Sequence, residues 1–414
     1  MRSVILVIAN LFKHIKPNRG SVTIVALVVM IVLGALGATL IKQSISGNKV
    51  SASYSDGIAA QYLAEAGIQH AKAEIEKQKY FSVIDVANLR NKTLTGSTGT
   101  YNVTISYANG FYTITSTGTV NGAQRRVIKQ LERDIYKFTV YGGQNNGQNL
   151  FSFVLNRGVS VYPAANVVGH VGCNTNIDYG AYVVTGAVFG AISIKGDVET
   201  PGNIVTWPGF SSVNVTGTSR QTTEGKARTI PTVAFPSDFN KTSNIQLTSG
   251  TSHTLTANKT YYTSGDLTLY HSIFGSDYIK GNGTIYVNGD LTLKGGLMGI
   301  SGAYVDDNVT FVVRGDVTLE PGSAMKGEVL IMATGDIWIG TGINYPALNP
   351  TTFPAEINKG ILLANGNIFI NNLGSTLYGS AISKKTVTLY GDSDIQYDAT
   401  FINEMKPTIL QYTN

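Results

Sequence analysis

The sequence predicts a mostly β protein behind one long N-terminal α-helix, half transmembrane and half amphipathic. A small antiparallel meander follows, then a parallel β-helix or solenoid, with a β-sandwich as the alternative for that last part. Three observations carry this reading. Ser21 to Ile41 (SVTIVALVVMIVLGALGATLI) is 21 residues without a charge, about 31 Å of helix and close to the hydrocarbon thickness of a bilayer. Asn-Gly pairs divide alternating runs of β-branched and aromatic residues between 100 and 134. A Gly-Asp or Gly-Asn step recurs from 265 to 367, each time followed by the same apolar-x-apolar triplet.

Composition narrows the class. Charged residues make up 14% of the chain, against about 25% in an average soluble domain. Glycine is abundant at 46 and proline sparse at 11, so the glycine surplus belongs to turns between strands rather than to a Pro-rich linker. The net charge of +5 has two sources. Lys13, Lys16 and Arg19 precede the apolar run, where they set topology. Arg125, Arg126, Lys129 and Arg133 lie on a strand-like stretch and read as its solvated face. Neither group interleaves basic with aromatic residues, so nucleic acid is not an expected partner. The single cysteine, Cys173, rules out an internal disulfide and is expected to be buried. His14, His70, His170, His253 and His271 show no metal-ligand spacing.

The apolar run exceeds the roughly 7–15 residues of a cleaved signal, and no small-residue cleavage site follows it. Residues 21–41 are therefore read as a single span of the cytoplasmic membrane, with the remainder extracytoplasmic. The helix is expected to continue to about residue 80. Beyond a candidate kink at Ser46-Gly47-Asn48, residues Ile58, Tyr62, Ala66 and Ile75, with Leu63 and Ala71, recur at helical spacing. Asp56 near the start of this stretch and Lys77 and Lys79 at its end suit the helix dipole. Such a helix suits lateral packing against like helices, through Val22, Ile24, Val25, Val28, Ile31, Leu33, Leu36 and Leu40.

These residues carry a family resemblance. Basic residues ending at Gly20, then Ser21-Val22-Thr23-Ile24 and the apolar run, resemble a prepilin leader (1–20) cut between Gly20 and Ser21. Downstream, Gln61-Tyr62-Leu63-Ala64-Glu65-Ala66-Gly67 resembles the Ala-Glu-Ala signature of the PilX N-terminal type of minor pilin. The similarity spans roughly Arg19 to Lys79. It implies a prepilin peptidase as processing partner and membrane anchorage before assembly. Afterwards it implies other pilin subunits as partners through the helix, in a cell-surface filament of the type IV kind. Major pilins carry glutamate at the fifth mature position, which here is Val25. That departure resembles type K pseudopilins and several minor pilins, and it implies a place at the filament tip.

Residues 95–137 are read as a three- or four-stranded antiparallel meander packed on the outer half of the helix. Val103 and Ile105, then Tyr112, Ile114 and Val120, alternate with polar residues across turns at Asn109-Gly110 and Asn121-Gly122.

Residues 138–414 are read as the solenoid. The repeated steps are Gly265-Asp266, Gly289-Asp290, Gly315-Asp316, Gly335-Asp336 and Gly366-Asn367, with glycines 24, 26, 20 and 31 residues apart. A period in the twenties with short strands marks a stacked solenoid. Stacking puts Leu269, Leu293, Leu319, Ile339 and Ile370 in one interior column. Glycine is expected to supply the corner conformation, and Asp or Asn to bind local backbone donors. Shorter apolar pieces at 168–172, 184–190 and 192–197 extend the pattern backwards. A Thr/Ser/Pro-rich stretch of about 205–250, with Pro231 and Pro236, reads as an irregular insertion.

Aligned Asp266, Asp290, Asp316 and Asp336 raise paired-carboxylate hydrolysis as a chemistry. Every one of them occupies the same turn position, which a structural role accounts for, and His170 has no carboxylate pair nearby in sequence. No catalytic residue, metal site or cofactor is predicted. An isolated calcium ion at Asp306-Asp307 or Asp392/Asp394 is the one ion for which the turns leave room. Trp338 and Phe369 stand where other repeats carry Thr292 and Thr318. They are expected side by side, as a patch for a surface glycan or protein ligand or beneath a loop such as 341–358. The leading expectation, resting on the resemblance, is a minor pilin or pilin-like subunit whose solenoid head serves adhesion or acts as a tip or spacer. The alternative is a membrane-anchored carbohydrate-active β-helix enzyme.

Overall fold

The computed structural model describes residues 21–77, 89, 91–108, 111–132, 134–143, 157–162, 164–179, 191–196, 198–200, 204–206, 213–215, 219–221, 228–272, 275–295, 302–340, 355–371, 373, 375–391 and 393–413. The leader, Gly20, Asn109-Gly110, Arg133, Asp392 and the 184–190 piece lie outside them. The chain divides into two compact units. One centres on the N-terminal helix and the antiparallel sheet, the other on the solenoid.

The N-terminal helix runs Ser21–Lys77, 57 residues, or about 86 Å. It passes through Ser46-Gly47-Asn48 without leaving helical geometry, so the expected kink does not break it. The sheet has three strands in the order β1 (Thr100–Ala108), β2 (Phe111–Val120) and β3 (Ala123–Glu132). Asn121 and Gly122 both take positive φ, 47° and 84°, as a two-residue hairpin turn requires. β2 alternates in burial along its whole length, the period-2 signature of a strand with one covered face.

The buried face of the helix keeps Leu63, Ala71 and Ile75 of the expected residues but not Ile58 and Tyr62. Gly57, Ala60, Leu63, Ala64, Gly67, Ile68, Ala71 and Ile75 are buried, whereas Ile58 and Tyr62 are exposed. Where helix and sheet come closest, the selection is by size. A Cβ on Gly67 would fall 2.2 Å from Ser116 Oγ, and one on Gly118 would fall 2.0 Å from the Ala60 carbonyl oxygen. Helix and strand backbones approach too closely for larger side chains. His70 Nδ1 and the Tyr101 hydroxyl, 2.8 Å apart, tie the two elements.

The solenoid is a parallel β-helix with three strands to a turn. One turn contains Tyr278–Lys280, Gly283–Val287 and Leu291–Leu293, and the next contains Tyr304–Val305, Val309–Val313 and Val317–Leu319. Parallel pairing is in register between turns: Ile279 on Val305, Ile285 on Phe311, Leu291 on Val317. Three interior columns result, and the third strand of each turn was not anticipated from the sequence. Leu269, Leu293, Leu319, Ile339 and Ile370 form one column as expected, each fully buried. Each such side chain contributes about 2 kcal/mol by leaving water.

Stack order departs from chain order. Residues 245–396 build turns one after another, and their last turn pairs with strands from the start of the solenoid. Strand Phe138–Gly142 lies between Leu377–Ser383 and His170–Cys173, with Val140 opposite both Ala381 and Val171. Likewise Val159 pairs with Val387, and Val167 with Ile395. The chain thus enters mid-stack, builds outward to about residue 221, then returns to the far end to begin again at Ile245.

Within the stretch read as an irregular insertion, 213–215 and 219–221 are instead regular solenoid strands paired with 192–194 and 198–200, and 228–244 is that return. Arg228 meets Glu199 and Asn174; Thr232 accepts from Lys384 Nζ (2.8 Å). Val233 exchanges two hydrogen bonds with the Asn365 side chain (2.8 and 2.9 Å). Phe235 packs edge-on against Tyr286 and Phe239 against Tyr262. Each contact lies further back along the stack. Val233 and Phe235 pack with Val312, Leu330, Leu363 and Ile382 into a second, external core. The C-terminal helix Ala399–Gln411, absent from the sequence expectations, completes this core with Phe401, Ile402 and Ile409. Asp398 caps it by accepting from Phe401 N–H (3.0 Å). Pro407 lies within it.

Candidate functional site

The expected packing surface lies on the N-terminal helix. Ile24, Val28, Ile31, Leu33, Leu36 and Leu40 are all exposed, Ile24 at 65% and Leu40 at 66%. Val25 is half-covered, and the Val22 side chain lies outside the described residues. Neighbouring residues such as Leu27, Met30 and Ile41 are equally bare, so the helix is apolar on every side, since successive positions turn by about 100°. Its most apolar window has a mean hydropathy of 2.8 and no burial. This one helix is long and apolar enough to cross a membrane.

The Gly-Asp repeat forms a ladder along one edge of the stack. Oδ1 of Asp266 accepts the backbone N–H of Asp290 (2.9 Å), Asp290 that of Asp316 (2.8 Å), and Asp316 that of Asp336 (2.7 Å). Asp336 Oδ1 then accepts from Asn367 N–H (2.6 Å) and its Nδ2 (3.2 Å). The donors are those of the next turn rather than local ones. The glycines also serve differently from expectation, because none of the five has positive φ. A Cβ on Gly289, Gly315, Gly335 or Gly366 would fall 1.9–2.2 Å from the Oδ1 of the preceding aspartate. Each glycine makes room for the carboxylate one turn back. Gly265, with no ladder residue before it, has nothing within 4 Å of that position.

Burial, and the charges of Asp336 and Asp290, raise the pKa of Asp316; the Asp336 N–H and Lys385 oppose the shift. A carboxylate raised in the fold binds more protons folded than unfolded just above the ordinary Asp range. Stability therefore falls as pH rises through that window. Asn367 shows that an amide fits the ladder. Asp316→Asn keeps the Oδ1 acceptor, adds a donor toward Asp290 and removes repulsion. It is expected to raise stability near neutral pH by up to about 1 kcal/mol, with a weaker acid dependence, as thermal melts across pH would show.

Trp338 and Phe369 meet as expected, with ring centroids 3.9 Å apart and planes at 16°. Both are half-buried. By register their outer neighbours are Thr318 and Thr388, both buried. Each ring thus covers one face of the other, and a sugar finds ring edges rather than an open face. Residues 341–354 of the proposed covering loop lie outside the described residues.

Sequence reasoning missed the buried polar cluster at the start of the return segment. Arg228 Nη2 and Glu199 Oε1 pair at 2.7 Å with side chains 3% and 2% exposed. The guanidinium stacks 5.2 Å from the Phe138 ring centroid. Asn174 Oδ1 accepts Arg228 N–H (2.6 Å) and the Tyr141 hydroxyl (2.5 Å), while its Nδ2 donates to the Arg228 carbonyl (2.8 Å). Burial pushes the Tyr141 phenol far up. Nothing in the spacing of these residues announces the pairing, because the chain must first reverse along the stack. Cys173 is buried and in no disulfide, its Sγ donating to Thr200 Oγ1 (3.3 Å), and His170 is buried within a strand. Among the described residues, no cluster of three or more His, Cys, Asp or Glu could hold a metal ion.

No protein-family model matches the chain, and no curated protein or solved structure matches it.

Proposed function

We propose that this chain is a pilin-like subunit of a type IV-type filament that carries its β-helix as a head. The observation that carries the reading is the unbroken helix. One half is apolar and bare on all sides, and the other is packed through glycine and alanine onto an antiparallel sheet. A helix so built has use in a bilayer and in a bundle of like helices. Its partners are the membrane and a prepilin peptidase first, and other pilin subunits after assembly at the cell surface. Val25, in place of the usual glutamate, favours a tip or initiating position.

The enzyme reading gains nothing from the aspartate ladder, whose Oδ1 atoms are taken by backbone donors. Edge-on aromatics suit a protein contact of the head better than a stacked sugar. The test is processing: with a prepilin peptidase present, the chain is expected to lose residues 1–20. An unprocessed chain would leave a signal-anchored surface protein.

A further inference from the structure

We propose that strand Phe138–Gly142, through which the chain enters the solenoid, is a force-bearing anchor. Tension passed along the chain from residue 134 is taken up inside the stack rather than at an end. This rests on the filament reading only for the source of tension; the protection of the strand does not depend on it.

An end strand of a solenoid is paired along one edge and peels one turn at a time. The entry strand is paired along both. Val140, Tyr141 and Gly142 face Ala381, Ile382 and Ser383 on one side, and Val171, Gly172 and Cys173 on the other. Pulling it out breaks two ladders together.

The approach to the strand is fastened as well. Asp134 pairs with Lys406 of the C-terminal helix. That ammonium lies 5.5 Å from the Tyr136 ring centroid, and the Tyr397 hydroxyl donates to the Tyr136 carbonyl (3.2 Å). Ile135, Tyr136 and Phe138 are buried in the external core. The return segment adds Ile230 to that core, and Arg228 lies over Phe138. The C-terminal helix, the return segment and the buried ion pair converge on the entry strand. An entry at the end of the stack would need none of them.

Two measurements on the full chain decide this. Under no load, amide exchange at 138–142 is expected to be at least about tenfold slower than at strands 219–221 and 245–246 at the two ends of the stack, because local opening frees end strands first. In optical tweezers, with the chain held in a nanodisc and pulled by a C-terminal tag, the solenoid is expected to rupture in one cooperative high-force event. Lys406→Ala is expected to lower that force, and the charge-matched surface control Lys259→Ala is expected to leave it unchanged. Exchange at 138–142 as fast as at the end strands would overturn the proposal. So would stepwise peeling from low force, or equal forces for both variants.

Discussion

Replacing Gly315 by alanine is expected to cost the solenoid about 3 kcal/mol, while the same change at Gly265 is expected to fall within about 0.5 kcal/mol of zero. At Gly315 the new methyl would lie 1.9 Å from Asp290 Oδ1 and 3.0 Å from the Gly289 carbonyl oxygen. Either the Asp290 carboxylate swings away and abandons the Asp316 N–H, or the two turns separate. Losing a charge-assisted hydrogen bond costs about 2 kcal/mol, and local overpacking adds to it. At Gly265 the space is empty, and removing glycine's backbone freedom from the unfolded chain offsets part of any penalty. A paired change separates clash from strain: Asp290→Ala with Gly315→Ala is expected to cost less than the sum of the two singles. Denaturant melts of the four variants check this, and additive losses would mean that the glycine answers to backbone conformation instead.

Glu199→Gln is the second large effect, with an expected loss of about 3–5 kcal/mol confined to the segment it clamps. Glu199 and Arg228 are both almost fully buried, and taking away one charge of such a pair strands the other in a medium of low dielectric. Because a solenoid is held by neighbour-to-neighbour contacts, the damage is expected at 171–200 and 228–240. Turns near 285–319 should be unaffected. Replacing both residues by methionine removes both charges and is expected to recover most of the loss. Hydrogen exchange read segment by segment distinguishes this from a general destabilisation, in which all turns would loosen together.

The legible parts of this fold were those coded by local period. The apolar run of residues 21–41, the Asn121-Gly122 hairpin and the column from Leu269 to Ile370 each follow from spacing that the chain repeats. The helix face was read correctly at Leu63, Ala71 and Ile75 but misread at Ile58 and Tyr62, where close approach to the sheet selects Gly57, Ala60, Ala64 and Gly67 instead. Size, not hydrophobicity alone, marks such an interface. The ladder glycines were found but misexplained, since their constraint comes from an aspartate a full turn away in the stack. The reversed stack order was invisible because any Val or Ile turn can stack on any other. What sets Val140 on Ala381 is the return path through Arg228, Thr232 and Val233, whose partners include Asn365, 132 residues from Val233, and Lys384, 152 residues from Thr232.

The start of the mature chain tests the central claim most directly. Mass spectrometry of the full chain, co-expressed with a prepilin peptidase, is expected to find an N-terminus at Ser21 that is abolished by Gly20→Leu. Met1 retained in the wild-type chain under those conditions would contradict the pilin-like account.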